Sequence, residues 1–174
     1  MKVKQQSAIK KFLLREFEKQ AGMTIFELIN AIPLVWRVFC EYEACNYPES
    51  GKQAFWEAIH AQEYLDMLEA YGYYEGEELL GIMATRNEGD HVAFFFVNGA
   101  HHRKGIGRSL FEAVLADGQA KTITVHSSLY AVEVYKKLGF VQTGEMQEEG
   151  GIQYVPMVYQ VNGSPKENIH RIGE

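Results

Sequence analysis

The chain has 174 residues, 47% of them apolar and four of them proline, which suits one domain and argues for a globular fold rather than disorder. Its net charge of −6 argues against a dedicated nucleic-acid binder, because such proteins present a positive face. Two cysteines, Cys40 and Cys45, support neither a disulfide framework nor a four-ligand zinc set, and no apolar run reaches the roughly 18 residues of a membrane span.

Taken in chain order, residues 1–20 carry six Lys/Arg against two Glu and lack the apolar stretch of a secretory signal. Together with the cysteine usage, this predicts a reducing, cytoplasmic location and no membrane partner. Ile9, Phe12, Leu13 and Phe17 recur at helical spacing, so residues 1–22 are expected to form an amphipathic N-terminal extension. TIFELI, after Met23, reads equally as strand or helix. Pro33 suits the first turn of a helix through LVWRVFCEYEA, with Leu34, Val35, Val38, Phe39 and Tyr42 on its buried side. A second helical segment is expected over Lys52–Leu68, after the loop NYPESG.

From Tyr71 the period changes. YGYYE, a turn at Gly76 and ELLGIMAT read as a hairpin, and Asn87-Glu88-Gly89-Asp90 is a second turn signal. HVAFFFV is apolar on both faces and is predicted as a central strand. GIGRSLFEAVLAD is predicted helical, with Ile106, Leu110, Val114 and Leu115 on one side. KTITVH is a short strand, AVEVYKKLGF a helix closed by Gly139, and IQYVPMVYQV a final strand. Pro156 marks that last strand as an edge or a bulge, and an edge there could meet a second copy in a homodimer. A polar tail, 162–174, follows. Several antiparallel strands followed by β-α-β-α-β make an α/β domain over 23–161, with a single mixed sheet and flanking helices.

The stretch HHRKGIGRSL carries the chemistry. A helix beginning near Gly105 leaves its first N–H groups without partners and has a positive dipole end. Gly105 and Gly107 let the backbone curl and a ligand approach, while Arg103, Lys104, Arg108 and Ser109 add charge and a hydroxyl. These features suit a di-anion such as a pyrophosphate. No P-loop fits, since Gly99 is followed five residues later by Lys104, and no dinucleotide fingerprint fits, since Leu110 stands where a small residue is required. His101 and His102, adjacent on an extended segment, point apart and have no third ligand nearby, so no metal is expected. On spacing alone the loop could equally be structural.

The central strand running into His102-Arg103-Lys104-Gly105-Ile106-Gly107, followed by SSLYAVEVYKKLGF, resembles the GNAT superfamily of acetyl-CoA-dependent N-acetyltransferases, over roughly Tyr71–Val161. The family's two signatures fall on those glycines and on Ala131, Tyr135, Lys137, Leu138, Gly139 and Phe140. The resemblance implies a GNAT fold with a mostly antiparallel central sheet whose strands splay at the coenzyme A (CoA) site. It implies that the backbone of Arg103–Ser109 (Arg103, Lys104, Gly105, Ile106, Gly107, Arg108, Ser109) holds the CoA pyrophosphate. Phe95, Phe96 and Val97 would pair with pantetheine and aim an N–H at the thioester oxygen, and Tyr135 would protonate the departing CoA sulfur. A phenol, with a reference pKa of about 10, stays protonated at neutral pH yet can donate to a thiolate whose reference pKa is about 8.5.

The sequence departs from that pattern at three places. His102 stands at the Gln/Arg position, Ser128 lies three before Ala131 where an asparagine is common, and HVAFFFV carries no acidic base. Glu41, Glu43 and His126 are the candidate bases. The acceptor end is expected within Leu34–Tyr74, where Trp36, Tyr42, Trp56, Tyr64, Tyr71, Tyr73 and Tyr74 mix with Glu41, Glu43, Glu49 and Glu57. That mixture would suit a cationic amine, small molecule or peptide. The departures also admit a CoA-binding sensor or interaction module that lost the chemistry, and the glycine loop alone admits a nucleotide-binding module.

Overall fold

A computed structural model describes residues 8–13 and 24–161. Strand β1 (Ala8–Leu13) precedes helices α1 (Thr24–Tyr42), α2 (Glu49–His60) and α3 (Gln62–Leu65). Strands β2 (Glu69–Glu75), β3 (Glu78–Arg86) and β4 (His91–Val97) follow, then α4 (Ile106–Asp117), β5 (Thr122–Ser127) and α5 (Val132–Leu138). Strands β6 (Val141–Gln142), β7 (Gln147–Glu149) and β8 (Ile152–Gln160) complete the described chain. The sheet order is β1-β2-β3-β4-β5-β8-β6, with β7 also on β8; only the β4–β5 pair is parallel. This is the mixed, mostly antiparallel α/β sheet expected from the sequence.

β3 is buried at every position from Leu79 to Thr85, because both faces of the central sheet are covered. On one face Ile82, Ala84, Phe94 and Phe96 pack against Leu34, Val35, Val38 and Phe39 of α1, Ile59 of α2 and Leu65 of α3. On the other, Leu80, Met83 and Val92 pack against Ile106, Leu110, Phe111 and Val114 of α4, with Tyr135 and Phe140 beyond.

Four local expectations differ from the structure. Residues 8–13 form a strand paired with Glu69–Tyr74, not a helix, since the edge of β2 offers a ladder of backbone partners that outweighs the helical spacing of Ile9, Phe12 and Leu13. Phe17 and the tail 162–174 lie outside the described residues. Pro33 is inside α1, not in its first turn, so helix formation reaches back through TIFELI although the 33-to-29 hydrogen bond is lost. Finally, β8 is flanked by β5 on one side and by β6 and β7 on the other, so Pro156 is not on an edge. It faces the interruption between β6 and β7, where Thr143 N–H donates to its carbonyl at 2.9 Å. The expected second helix starts earlier, at Glu49, and breaks at Ala61, whose ψ of 114° is extended.

Candidate active site

β4 pairs with β5 only through its first two residues, His91 with Thr124 and Val92 with Val125. Just beyond, the β3–β4 register shifts, with Ala84 opposite Phe94 and Thr85 opposite Val92, so Ala93 is an extra residue in β4. Such a bulge bends its strand, and β4 leaves β5 at that point. From Phe94 to Val97 the two strands diverge into a slot.

Asn98–Gly105 turns the chain from β4 into α4. Arg103 and Gly105 have φ of 61° and 85°, the left-handed conformation that curls the loop back on itself. Ser109 N–H is the first to find an intrahelical acceptor, the Gly105 carbonyl at 3.0 Å. The N–H groups of Ile106, Gly107 and Arg108 therefore have no acceptor within the helix. Around Gly105 there is open space, with nothing within 4 Å of where a Cβ would stand. At Gly107 the requirement is packing: a Cβ would stand 2.7 Å from Phe95 Cζ. Arg103 and Lys104 are exposed, whereas Arg108 reaches across to the Lys137 carbonyl at 3.3 Å and ties α4 to the end of α5. His102 turns inward, and its ring lies 4.9 Å from that of Tyr42 and donates from Nε2 to the Val97 carbonyl at 2.7 Å.

On the opposite side of the slot, Ser128 Oγ accepts from Ala131 N–H at 3.3 Å and opens α5. One turn further on, Tyr135 is buried, edge-on to Phe95 at 5.6 Å and to Phe140 at 5.1 Å. Burial, with a smaller contribution from the Glu43 charge, pushes its phenol well above the usual range. Gly139, at φ 101°, ends the helix in the left-handed conformation and admits Tyr159 alongside.

A cavity of about 340 Å³ joins the slot to a chamber under the helices. Phe95, Phe96, Ser128, Ala131 and Tyr135 line its slot end. Tyr47, Phe55, Tyr64, Phe94, His126 and Tyr154 line the chamber. Among the candidate bases, Glu43 and His126 reach this cavity. Burial raises the Glu43 carboxyl to about 7, with the Ser128 hydroxyl acting in the opposite direction. His126 stacks on Tyr154 at 4.0 Å, and its pKa is lowered, first by burial and then by the Arg86 charge. Glu41 is exposed and bonded to Tyr42.

The acceptor-side residues expected from the sequence mostly serve elsewhere. Trp36 packs on Phe39, Phe55 and Trp56, Tyr71 donates to Asp117 at 3.1 Å, and Glu49 pairs with Lys52 at 3.0 Å. Only Glu43 and Tyr64 of that set line the cavity. Tyr47, Phe55 and Tyr154 were not foreseen. One signal for Tyr154 existed: it lies two residues before Pro156, the register partner of His126. Among the described residues no cluster of His, Cys, Asp and Glu could hold a metal ion, and no helix is long and apolar enough to cross a membrane.

The fold has parallels in solved structures. A GCN5-related N-acetyltransferase from Rhodopseudomonas palustris is similar at a TM-score of 0.65 and 15% identity, over 92% of this chain and 99% of that one. The PaiA N-acetyltransferase of Thermoplasma acidophilum, in complex with coenzyme A, is similar at 0.65 and 13%, over 89% and 99%. An aminoglycoside 6′-N-acetyltransferase complexed with coenzyme A is similar at 0.58 and 14%, over 91% and 99%. No curated protein matches the chain at the sequence level. The family model for the acetyltransferase (GNAT) domain matches residues 43–161, which span the chamber, the glycine loop and α5. With that match over most of its length, the chain belongs to the GNAT acetyltransferase family.

Proposed function

We propose that the protein transfers an acetyl group from acetyl-CoA directly to a primary amine. The observation that carries this reading is the junction of slot and chamber: the open helix start of α4 lies on one side of the β4–β5 split and Tyr135 on the other. The residues fit the coenzyme. Ile106, Gly107 and Arg108 offer N–H groups at the positive end of a 12-residue helix, and Gly105 leaves space beside them for a pyrophosphate. Arg103 and Lys104 add charge from the exposed side, and Ser109 a hydroxyl. When bound, acetyl-CoA supplies an activated acyl group as a thioester.

The chain supplies position and protons. Backbone groups of Phe95–Val97 face the slot where β5 no longer pairs with them, so they can orient pantetheine and donate to the developing oxyanion. Tyr135 Oη is held protonated by its buried setting and supplies the proton that the departing sulfur takes. Ser128 and Ala131 set the start of the helix that carries it. No carboxylate on β4 is needed for a base to be at hand, because Glu43 lines the same cavity. This favours an enzyme over a sensor that kept only the coenzyme site.

The test is turnover of acetyl-CoA with an amine panel, followed as free thiol, for wild type and Tyr135→Phe. The expected result is acetylation of at least one amine, and a fall of about 10²-fold or more in the variant. Absence of turnover with every amine, or a Tyr135→Phe variant as fast as wild type, defeats the assignment.

A further inference from the structure

The cavity has two unlike ends. The slot end is lined by Phe95, Phe96, Ser128, Ala131 and Tyr135. The chamber end is walled by aromatic rings from every side: Tyr47 after α1, Phe55 from α2, Tyr64 from α3, and Phe94 and Tyr154 from the sheet. Two contacts tie its walls together. Tyr47 donates to the Gln153 carbonyl of β8 at 3.2 Å, and Gly51 of α2 lies directly against the Gly151 carbonyl in the β7–β8 turn. A volume of about 340 Å³ matches a small ligand and not a folded surface.

The charges are placed unevenly. The Glu43 carboxylate stands where the two ends meet: the Ser128 hydroxyl of the slot favours its ionised form, and its charge is felt by Tyr47 in the chamber and by Tyr135. Glu149 lies at the rim beside His126. Beyond the chamber the charge reverses. The Arg86 guanidinium acts on Tyr64, His91 and His126, and its Nε is buried without a partner. One ammonium is therefore welcome at the junction, among a carboxylate and tyrosine rings. Deeper in the chamber a second one would face aromatic rings and the Arg86 charge, which is costly.

We propose that the acceptor is a monocationic primary amine on a compact aromatic or branched aliphatic body, its ammonium held and deprotonated by Glu43 and its body seated among Tyr47, Phe55, Tyr64 and Tyr154. This rests on the amine acetylation proposed above. The proton balance closes with these groups. The ammonium gives one proton to Glu43, which passes it to water. As the N–C bond forms and the C–S bond breaks, nitrogen loses a second proton, which replaces the one Tyr135 gives to sulfur. The net products are the amide, free thiol and one proton.

The experiment uses the full chain, acetyl-CoA, and four acceptors: 2-phenylethylamine, isoamylamine, spermidine and a lysine-containing peptide. CoA binding is measured in parallel by calorimetry. The expected result is a kcat/KM for the two monoamines about ten-fold or more above spermidine and the peptide. Glu43→Gln should lower it by about 100-fold and abolish the acid limb near pH 7, with CoA binding retained. Ser128→Ala, which removes the bond that favours ionised Glu43, should move that limb to higher pH. Tyr154→Ala should raise KM more than it lowers kcat. Preference for spermidine or the peptide, or a Glu43→Gln enzyme with wild-type rate and pH profile, overturns the proposal and leaves amine acetylation standing. If CoA binds and no amine is acetylated, or if CoA does not bind, the proposed function fails and this inference with it.

Discussion

The ring of His102 donates from Nε2 to the carbonyl of Val97 at 2.7 Å, joining the glycine loop to the last residue of β4. A carbonyl can only accept, so the proton is on Nε2. The histidine that stands at the Gln/Arg position of the pyrophosphate motif thus fixes the end of the central strand at the mouth of the slot. His102→Phe keeps a ring against Tyr42 and removes the donor. It should lower stability by about 0.5–1.5 kcal/mol, the usual net value of one such bond, in urea unfolding. An unchanged midpoint would mean that the bond contributes nothing to holding the loop.

The two glycines of the loop should fail in different ways when replaced by alanine. At Gly105 there is room, but φ is 85°, so alanine carries roughly 1–2 kcal/mol of backbone strain and leaves α4 where it is. At Gly107 an added methyl meets the Phe95 ring, so alanine must move the ring or the helix, at about 1–3 kcal/mol. A Phe95→Leu background should recover much of the second loss and none of the first. Unfolding of the double variants measures this directly, since only groups in contact show coupling.

The contrast explains which parts of the site could be read from sequence. Gly105, Gly107 and Gly139 answer local demands, two for left-handed backbone and one for close approach, so a short motif carries them. The chamber is different. Glu43, Tyr47, Phe55 and Tyr154 come from four separate segments, brought together only when α1 and α2 pack over the sheet and β8 takes its register on β5. No spacing rule links them. Helical spacing in residues 8–13 and the position of Pro33 misled because each was judged alone: β2 supplied an edge for the former, and the preceding turns of α1 absorbed the latter.

Tyr135→Phe should separate chemistry from stability. Among the described residues the Tyr135 hydroxyl has no hydrogen-bond partner, while its ring packs on Phe95 and Phe140. Losing the oxygen removes no bond, so the unfolding midpoint should shift by the equivalent of about 0.5 kcal/mol at most, the range of substitutions that break nothing. The acetylation rate should nonetheless fall. A large loss of stability would show that the phenol is a structural group and would undercut its role as proton donor.

Glu43 predicts a pH dependence of stability whose sign is opposite to that of a salt-bridged carboxylate. Its folded-state pKa is about 7 against a reference of 4.5, with burial as the main cause and the Ser128 bond acting against it. Between these values the folded state binds more protons at Glu43 than the unfolded state, so its contribution falls as pH rises from 4.5 to 7. Below 4.5 both states are protonated and Glu43→Gln should match wild type; above 7 the variant should be the more stable protein. Allowing for screening at a half-buried site, the gain should be on the order of 1–2 kcal/mol. Paired urea titrations of wild type and Glu43→Gln at acidic and mildly alkaline pH read the difference. A variant that is less stable than wild type at the higher pH would mean that the carboxylate is compensated where it stands, and that burial is not what sets its proton affinity.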